Sequence, residues 1–225
     1  MRGQDVYEAL TAKGITQLHH ANTVITSCTF LALRGLASRR YVASHGLPQT
    51  AQSSDDLDQK FGIWDDVFVD TVDIHHRARQ VNWYGPVLFV LDVNALNDLP
   101  RGSEVLITKK NPTKWIDGEA QDARYFTSVT ELNASLQKGT FDQMVTIRTG
   151  SGMVPFPSGS ASVVVDDPGR SLTSGVAAFA NAQSRLAAAA EQSQMKLVIN
   201  RRVCCDSCKC QGTYAVFKQC EEFFR

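Results

Sequence analysis

The run Val87-Leu88-Phe89-Val90-Leu91 is apolar throughout, with Gly85-Pro86 before it and Asp92 after it. Such a run fits a buried central strand, and a buried strand needs neighbours on both sides. The chain offers several. Gln17-Leu18-His19-His20 reads as a short strand, and residues 66–73 alternate polar and apolar from Asp66 through Val67, Phe68, Val69 and Asp70. Val105–Ile107, Met144–Ile147 and Val163–Val165 read as three more strands, the last closed by Asp166-Asp167-Pro168-Gly169. Helices are expected over 5–13, over the alanine-rich stretch 174–195, and over Ser128 to Leu136, with Ser128 as cap and Glu131 at the capping-box position. Asn22-Thr23 caps a further helix whose buried face is Val24, Ile25, Cys28, Phe30 and Leu31, and Gly35 ends it in a left-handed conformation. Residues 44–62 are polar and read as a loop or a lid. Short strands without regular alternation with helices give an α+β fold.

Composition narrows the class. The chain has 225 residues, of which 43% are hydrophobic, enough for a real core. Lys+Arg and Asp+Glu are equal at 23 each, so nucleic acid, if bound, must meet local patches rather than a basic surface. No apolar run approaches the ~18 residues of a spanning helix, and the start of the chain lacks the apolar core of a signal peptide, so no membrane contact and a cytoplasmic location are expected. Five of six cysteines (Cys204, Cys205, Cys208, Cys210 and Cys220) crowd the last residues, with Cys28 alone. That clustering suits a metal site or reduced thiols better than a disulfide scaffold. Gly150-Ser151-Gly152 lacks the third glycine and the helix of a dinucleotide fingerprint.

The segment from Leu18-His19-His20-Ala21-Asn22-Thr23-Val24-Ile25 to Gly35-Leu36-Ala37-Ser38-Arg39 resembles the opening of DarT-type ADP-ribosyltransferase toxins. Phe61-Gly62-Ile63-Trp64-Asp65-Asp66-Val67-Phe68, Asp70-Thr71-Val72-Asp73-Ile74-His75 and Tyr84-Gly85-Pro86-Val87-Leu88-Phe89 look like DarT-related toxins of phage-defence toxin–antitoxin–chaperone systems, a group associated with ADP-ribosylation of RNA. The resemblance implies an ADP-ribosyltransferase-like split sheet with flanking helices over residues 1–195, followed by a cysteine-rich basic tail over 196–225. It implies NAD as substrate, a nucleic-acid acceptor (RNA before DNA), an antitoxin and a chaperone as partners. His20 takes the family histidine and Asn22 the family threonine. With Ser38, Arg39 and Gln49 they form the expected NAD site, and Arg39 or Arg40 holds the pyrophosphate. Those residue types suit the chemistry: cleaving the nicotinamide–ribose bond passes through an oxocarbenium-like state, so ribose, carboxamide and phosphates must be fixed in place, and arginine grips phosphate with paired hydrogen bonds.

The family's catalytic glutamate belongs on a late strand, where Phe141-Asp142-Gln143-Met144-Val145 carries Gln143. Glutamine can bond a ribose hydroxyl but cannot offset oxocarbenium charge, a loss of several kcal/mol. Either the chain uses another acid, or it is a Glu-to-Gln form, or Asp142, Glu131 or Glu119 carries the role. A catalytically silent binding protein is the reading if no acid approaches. A separate constellation, Asp65, Asp66, Asp70, Asp73, His75 and His76, could hold a divalent metal as in a nuclease, or be a solvated strand with acidic exits. Cys205 and Cys208 have zinc-knuckle spacing, and Cys210 with Cys220 would complete four thiolates, with buried reduced thiols as the alternative. Lys109, Lys110 and Trp115 combine charge with an aromatic, as a phosphate-holding, base-stacking loop would, or as a solvated hairpin with a half-buried ring would.

Overall fold

A computed structural model of the chain describes residues 1–52, 54–76, 83–204 and 208–225. In chain order the elements are α1 (Gly3–Ala12), β1 (Gln17–Asn22), α2 (Val24–Leu33), β2 (Gly35–Ala37), α3 (Arg39–Ser44), α4 (Asp55–Lys60), β3 (Val67–Val69), β4 (Val87–Asp92), β5 (Glu104–Ile107), α5 (Gln121–Arg124), α6 (Val129–Ser135), β6 (Val145–Arg148), β7 (Met153–Pro155), β8 (Ser160–Asp167), α7 (Ala178–Gln192), β9 (Lys196–Val203), α8 (Lys209–Ala215) and α9 (Phe217–Phe224). Short 3-10 turns lie between them, one of them at Ile74–His76. The architecture is α+β; among the described residues the strands form three small sheets.

The apolar run becomes β4, an inner strand of a four-stranded sheet ordered β1-β4-β8-β9. It lies antiparallel to β1, with His20 opposite Phe89, and antiparallel to β8 on its other side. β8 then runs through α7 to a parallel β9, paired over eight residues from Ser160↔Lys196 to Asp167↔Val203. A three-stranded antiparallel sheet is ordered β3-β6-β5, and β2 pairs with β7. One main core joins α1, α2, α7, the inner strands and the last helices. It includes Val6, Leu31, Phe89, Val163, Leu186, Tyr214 and Phe224.

Several local expectations shift. The left-handed residue that ends α2 is Arg34, with φ 61°. Gly35 instead opens β2, where an added Cβ would stand 2.5 Å from the Val154 carbonyl oxygen, so close strand approach explains that glycine. Thr23 occupies the N-cap of α2 but makes no side-chain cap bond. Ser128 does cap α6, accepting from the Glu131 amide, while the Glu131 carboxylate accepts from the Thr127 amide rather than from Ser128. The polar stretch 44–62 folds in part as α4. Ser54 stands at its N-cap, Asp55, Asp56 and Asp58 lie in its first turn and Lys60 in its last, an order that complements the helix dipole.

Within 196–225, Cys204, Cys210, Tyr214, Cys220, Phe223 and Phe224 pack into the same core as the rest. Arg201 and Arg202 lie opposite Val165 and Asp166 on β8 and pair with Asp167, Asp166 and Asp73. The expected basic surface is to that extent neutralised at its two arginines. Among the described residues, no helix is long and apolar enough to cross a membrane.

Candidate functional site

The edge strands of the two larger sheets, β1 and β3, meet at a single bridge. His19 and Asp70 exchange both backbone bonds, at 2.9 and 2.8 Å. One residue further along β1 the ladder stops. There the Phe68 carbonyl accepts from the His20 ring at Nδ1, 2.7 Å away, so a side chain satisfies a group that a strand partner would otherwise take. The gap so opened is a cleft of about 940 Å³, its open mouth included. β1 lines it with His19, His20, Ala21 and Asn22. The β3 segment contributes Asp66, Phe68 and Asp70, and the α4 segment Gln52, Ser54, Leu57 and Asp58. Asn111, Pro112, Thr113 and Met144 form the far side. Val67 lines the cleft as well, so the expected alternation along 66–70 does not by itself separate a cleft face from a core face.

The His20 ring is held from behind. Its ring centre lies 5.5 Å from that of Phe30, which packs edge-on against Phe89, itself stacked on Phe156 at 5.3 Å. Because a carbonyl only accepts, the Phe68 contact puts the proton on Nδ1. Burial pushes the His20 pKa down, against the pull of the Phe68 bond, so the neutral ring is favoured. Nε2 is then an acceptor, and it is buried without a hydrogen-bond partner. Asn22 lines the cleft too, but its Oδ1 accepts from the Thr23 amide at 2.9 Å.

Arg39 starts α3, placed there by Ser38, whose Oγ caps the helix by accepting from the Tyr41 amide. Its Nε and Nη2 donate to the two Asp55 oxygens at 2.8 and 2.7 Å, while Nη1 is buried without a partner. Gln49 donates to the Arg39 carbonyl at 3.3 Å and, like Ser38, does not line the cleft. Arg40 turns away to an exposed pair with Asp65. Of the two arginines, Arg39 is therefore the one at the cleft.

Three acids line the cleft, Asp58, Asp66 and Asp70, and Asp58 comes from α4. Burial raises the Asp58 carboxyl to about 6, with the Ser54 hydroxyl bond opposing the rise and neighbouring Asp55 adding to it. Arg39 acts electrostatically on both Asp58 and His20, so the three form one electrostatic group. Burial likewise raises Asp66, against its paired hydrogen bonds from Arg148 at 2.8 Å each. Nothing in the sequence motif marks Asp58; the only available signal was the Ser54-Asp55-Asp56 helix start, which places Asp58 one turn in.

Other expected site residues lie elsewhere. Gln143 does not line the cleft. Its amide pins a turn, Oε1 accepting from the Gln137 amide at 2.7 Å and Nε2 donating to the Ser135 carbonyl at 3.0 Å. A side chain committed on both ends to backbone is structural here. Asp142 pairs with Lys114, Glu131 with Lys109 and Glu119 with Lys110. Lys109 and Lys110 are thereby paired, and Trp115 is 7% exposed, its indole N–H bonded to the Lys110 carbonyl and its ring beside Tyr125 and Phe61. These three do not form an open stacking platform, because their charge and ring are spent on a small second core. The residues between them, Asn111 to Thr113, are what line the cleft.

The acidic stretch expected as a metal cluster also disperses. Asp65 goes to Arg40, Asp66 to Arg148 and Asp73 to Arg202. His75 leaves it for the cysteines: its ring nitrogens, Cys208 Sγ and Cys210 Sγ come within 4.8 Å of one another. Cys220 is buried outside that group, and Cys205 lies outside the described residues. Compared with known proteins, the chain matches no family model and no curated protein.

Proposed function

We propose that the chain is an NAD-consuming ADP-ribosyltransferase of the toxin type, and that the β1–β3 cleft is its NAD site. One observation carries the reading: the histidine and arginine singled out by the sequence line the same cleft, each with a buried nitrogen lacking a protein partner, beside one carboxyl that burial raises to about 6.

In this reading His20 Nε2 accepts a ribose hydroxyl, and the ring cannot rotate away because Phe68 holds its other nitrogen. The Arg39 end edge, Nη1 with the second N–H of Nη2, grips the pyrophosphate while Asp55 keeps the guanidinium aligned. Asp58 replaces position 143 as the acid. As a carboxylate it offsets the oxocarbenium charge that develops when the nicotinamide–ribose bond breaks, and it accepts the proton given up by the attacking acceptor nitrogen or oxygen. A pKa near the working pH suits a group that must take up a proton in one step and release it in the next. The acceptor is a nucleic-acid base, RNA before DNA, entering over Asn111–Thr113. Action in the cytoplasm in phage defence, with an antitoxin and a chaperone as partners, extends the same reading.

The test is incubation with NAD labelled in the adenylate half, together with RNA, DNA or protein. Label on RNA that disappears with Asp58→Asn but persists with Gln143→Ala supports the assignment. No label on any of the three acceptors overturns the activity, and label that survives Asp58→Asn overturns the acid.

A further inference from the structure

Outside the residues that line the cleft, three metal-competent side chains converge from distant parts of the sequence. His75 sits in the 3-10 turn Ile74–His76, fixed by its amide donating to Asp73 Oδ1 at 3.0 Å. Cys208 is the N-cap of α8 with no side-chain cap bond, and Cys210 lies in the first turn of that helix. Cys210 Sγ lies 3.7 Å from His75 Nδ1 and 3.8 Å from Nε2.

We propose that His75, Cys208 and Cys210 form a structural zinc site that clamps the turn after β3 to the start of α8. Tetrahedral zinc, with Zn–S near 2.3 Å and Zn–N near 2.0 Å, separates its ligand atoms by about 3.5–3.8 Å. The His75–Cys210 spacing already falls in that range, and the whole trio lies within 4.8 Å. A divalent ion would be bound by rotating the His75 ring and the two cysteine side chains so that their ligand atoms face a common point.

The surroundings fit the chemistry. His75 Nε2 faces Asp166 Oδ2 at 3.5 Å, which leaves Nδ1 for the metal and supplies the carboxylate–histidine arrangement that orients zinc-binding imidazoles. Asp166 is itself fixed by Tyr214 Oη at 2.5 Å and by Arg202 Nε at 2.6 Å, so the orienting carboxylate is rigid and its charge is met by Arg202. On binding, two thiols lose their protons to solvent and the two thiolates neutralise the ion. Sulfur and imidazole together select zinc over magnesium or calcium, which prefer oxygen. Among the described residues, the buried Cys204 is the cysteine nearest in sequence to fill the fourth position; water is the other choice. The site differs from the all-cysteine set that spacing suggested: a histidine distant in sequence takes the place of Cys220.

The experiment uses the full chain purified without chelator. Elemental analysis is expected to find one zinc per chain. Replacement by Co(II) is expected to give the strong visible bands of tetrahedral cobalt with thiolate-to-metal charge transfer. Cys208→Ser, Cys210→Ser and His75→Ala each lose the bound zinc, whereas Cys28→Ser and Cys220→Ser keep it. Cys204→Ser tests the fourth position: weakened binding assigns Cys204, and unchanged binding removes Cys204 from the ligand set. Absence of stoichiometric zinc from the wild-type chain, a cobalt spectrum without thiolate bands, or loss in Cys220→Ser with retention in the other three overturns the site. The cobalt spectrum is read on the wild-type protein, so a variant that fails to fold does not decide the question.

Discussion

The His20 imidazole is tied to Phe68 through one nitrogen and open at the other, so a substitution there has two separable effects. His20→Ala removes the acceptor and also strands the Phe68 carbonyl. NAD affinity is expected to fall by roughly tenfold to a hundredfold, with stability lower by about 1–3 kcal/mol. Titration calorimetry and thermal unfolding read the two apart, and unchanged NAD affinity would remove His20 from the site. Asp58 works in the opposite sense. Its folded pKa of about 6 exceeds the unfolded value of 3.8, so its stabilising contribution is present below about pH 4 and is lost as pH rises through about 6. Asp58→Asn is therefore expected to raise stability by about 1–2 kcal/mol near pH 8, after allowance for water reaching the half-buried carboxyl, and to leave it unchanged near pH 4. Transfer should rise with pH through about 6 in the wild type and drop by about a hundredfold or more in Asp58→Asn. A variant that is neither more stable nor less active would show that Asp58 is an ordinary surface carboxylate.

Among the elements, legibility tracked apolar pattern. β4 was readable because its run Val87–Leu91 is apolar throughout. α2 was placed correctly but its buried side was not, since Ile25 and Cys28 are only half-buried while Thr26, Ser27 and Thr29 are buried. His20 and Arg39 were picked out by the family resemblance rather than by periodicity. α4 was not readable, since Leu57 is its only apolar residue and its six residues show no period; the acid it carries stayed hidden. Partner choice was equally unreadable. Nothing local tells that Gln143 bonds Gln137 and Ser135, or that Lys109 finds Glu131. At the joint between elements, Gly85 has φ 139°, and a Cβ there would stand 2.4 Å from the carbonyl carbon of Asn22. Gly85→Ala is expected to cost about 2–4 kcal/mol and to displace the β1–α2 junction, raising the KM for NAD. Chemical denaturation and steady-state kinetics check both, and wild-type values in both would show that the junction adapts freely.

For the molecule as a whole, the decisive contact is β8 with β9. Eight paired residues, the Arg201–Asp167 and Arg202–Asp166 ion pairs, and the burial of Tyr214 and Phe224 make the last segment part of the main core. A chain cut after residue 195 is expected to lose its cooperative thermal transition and its NAD binding together, since a small domain stripped of an edge strand and two core helices has no stability to spare. A sharp transition in the shortened chain would instead mark 196–225 as dispensable.

Parallel pairing of β8 with β9 also sets an order of events during synthesis. Until α7 and β9 leave the ribosome, one edge of β8 shows unpaired amides and carbonyls flanked by Val163 and Val165. At ~5–20 residues per second the α7–β9 stretch takes seconds to emerge, long enough for an open edge to pair with another nascent chain or to be taken up by a holdase. The same delay keeps the β1-β4-β8-β9 sheet incomplete until translation has passed β9.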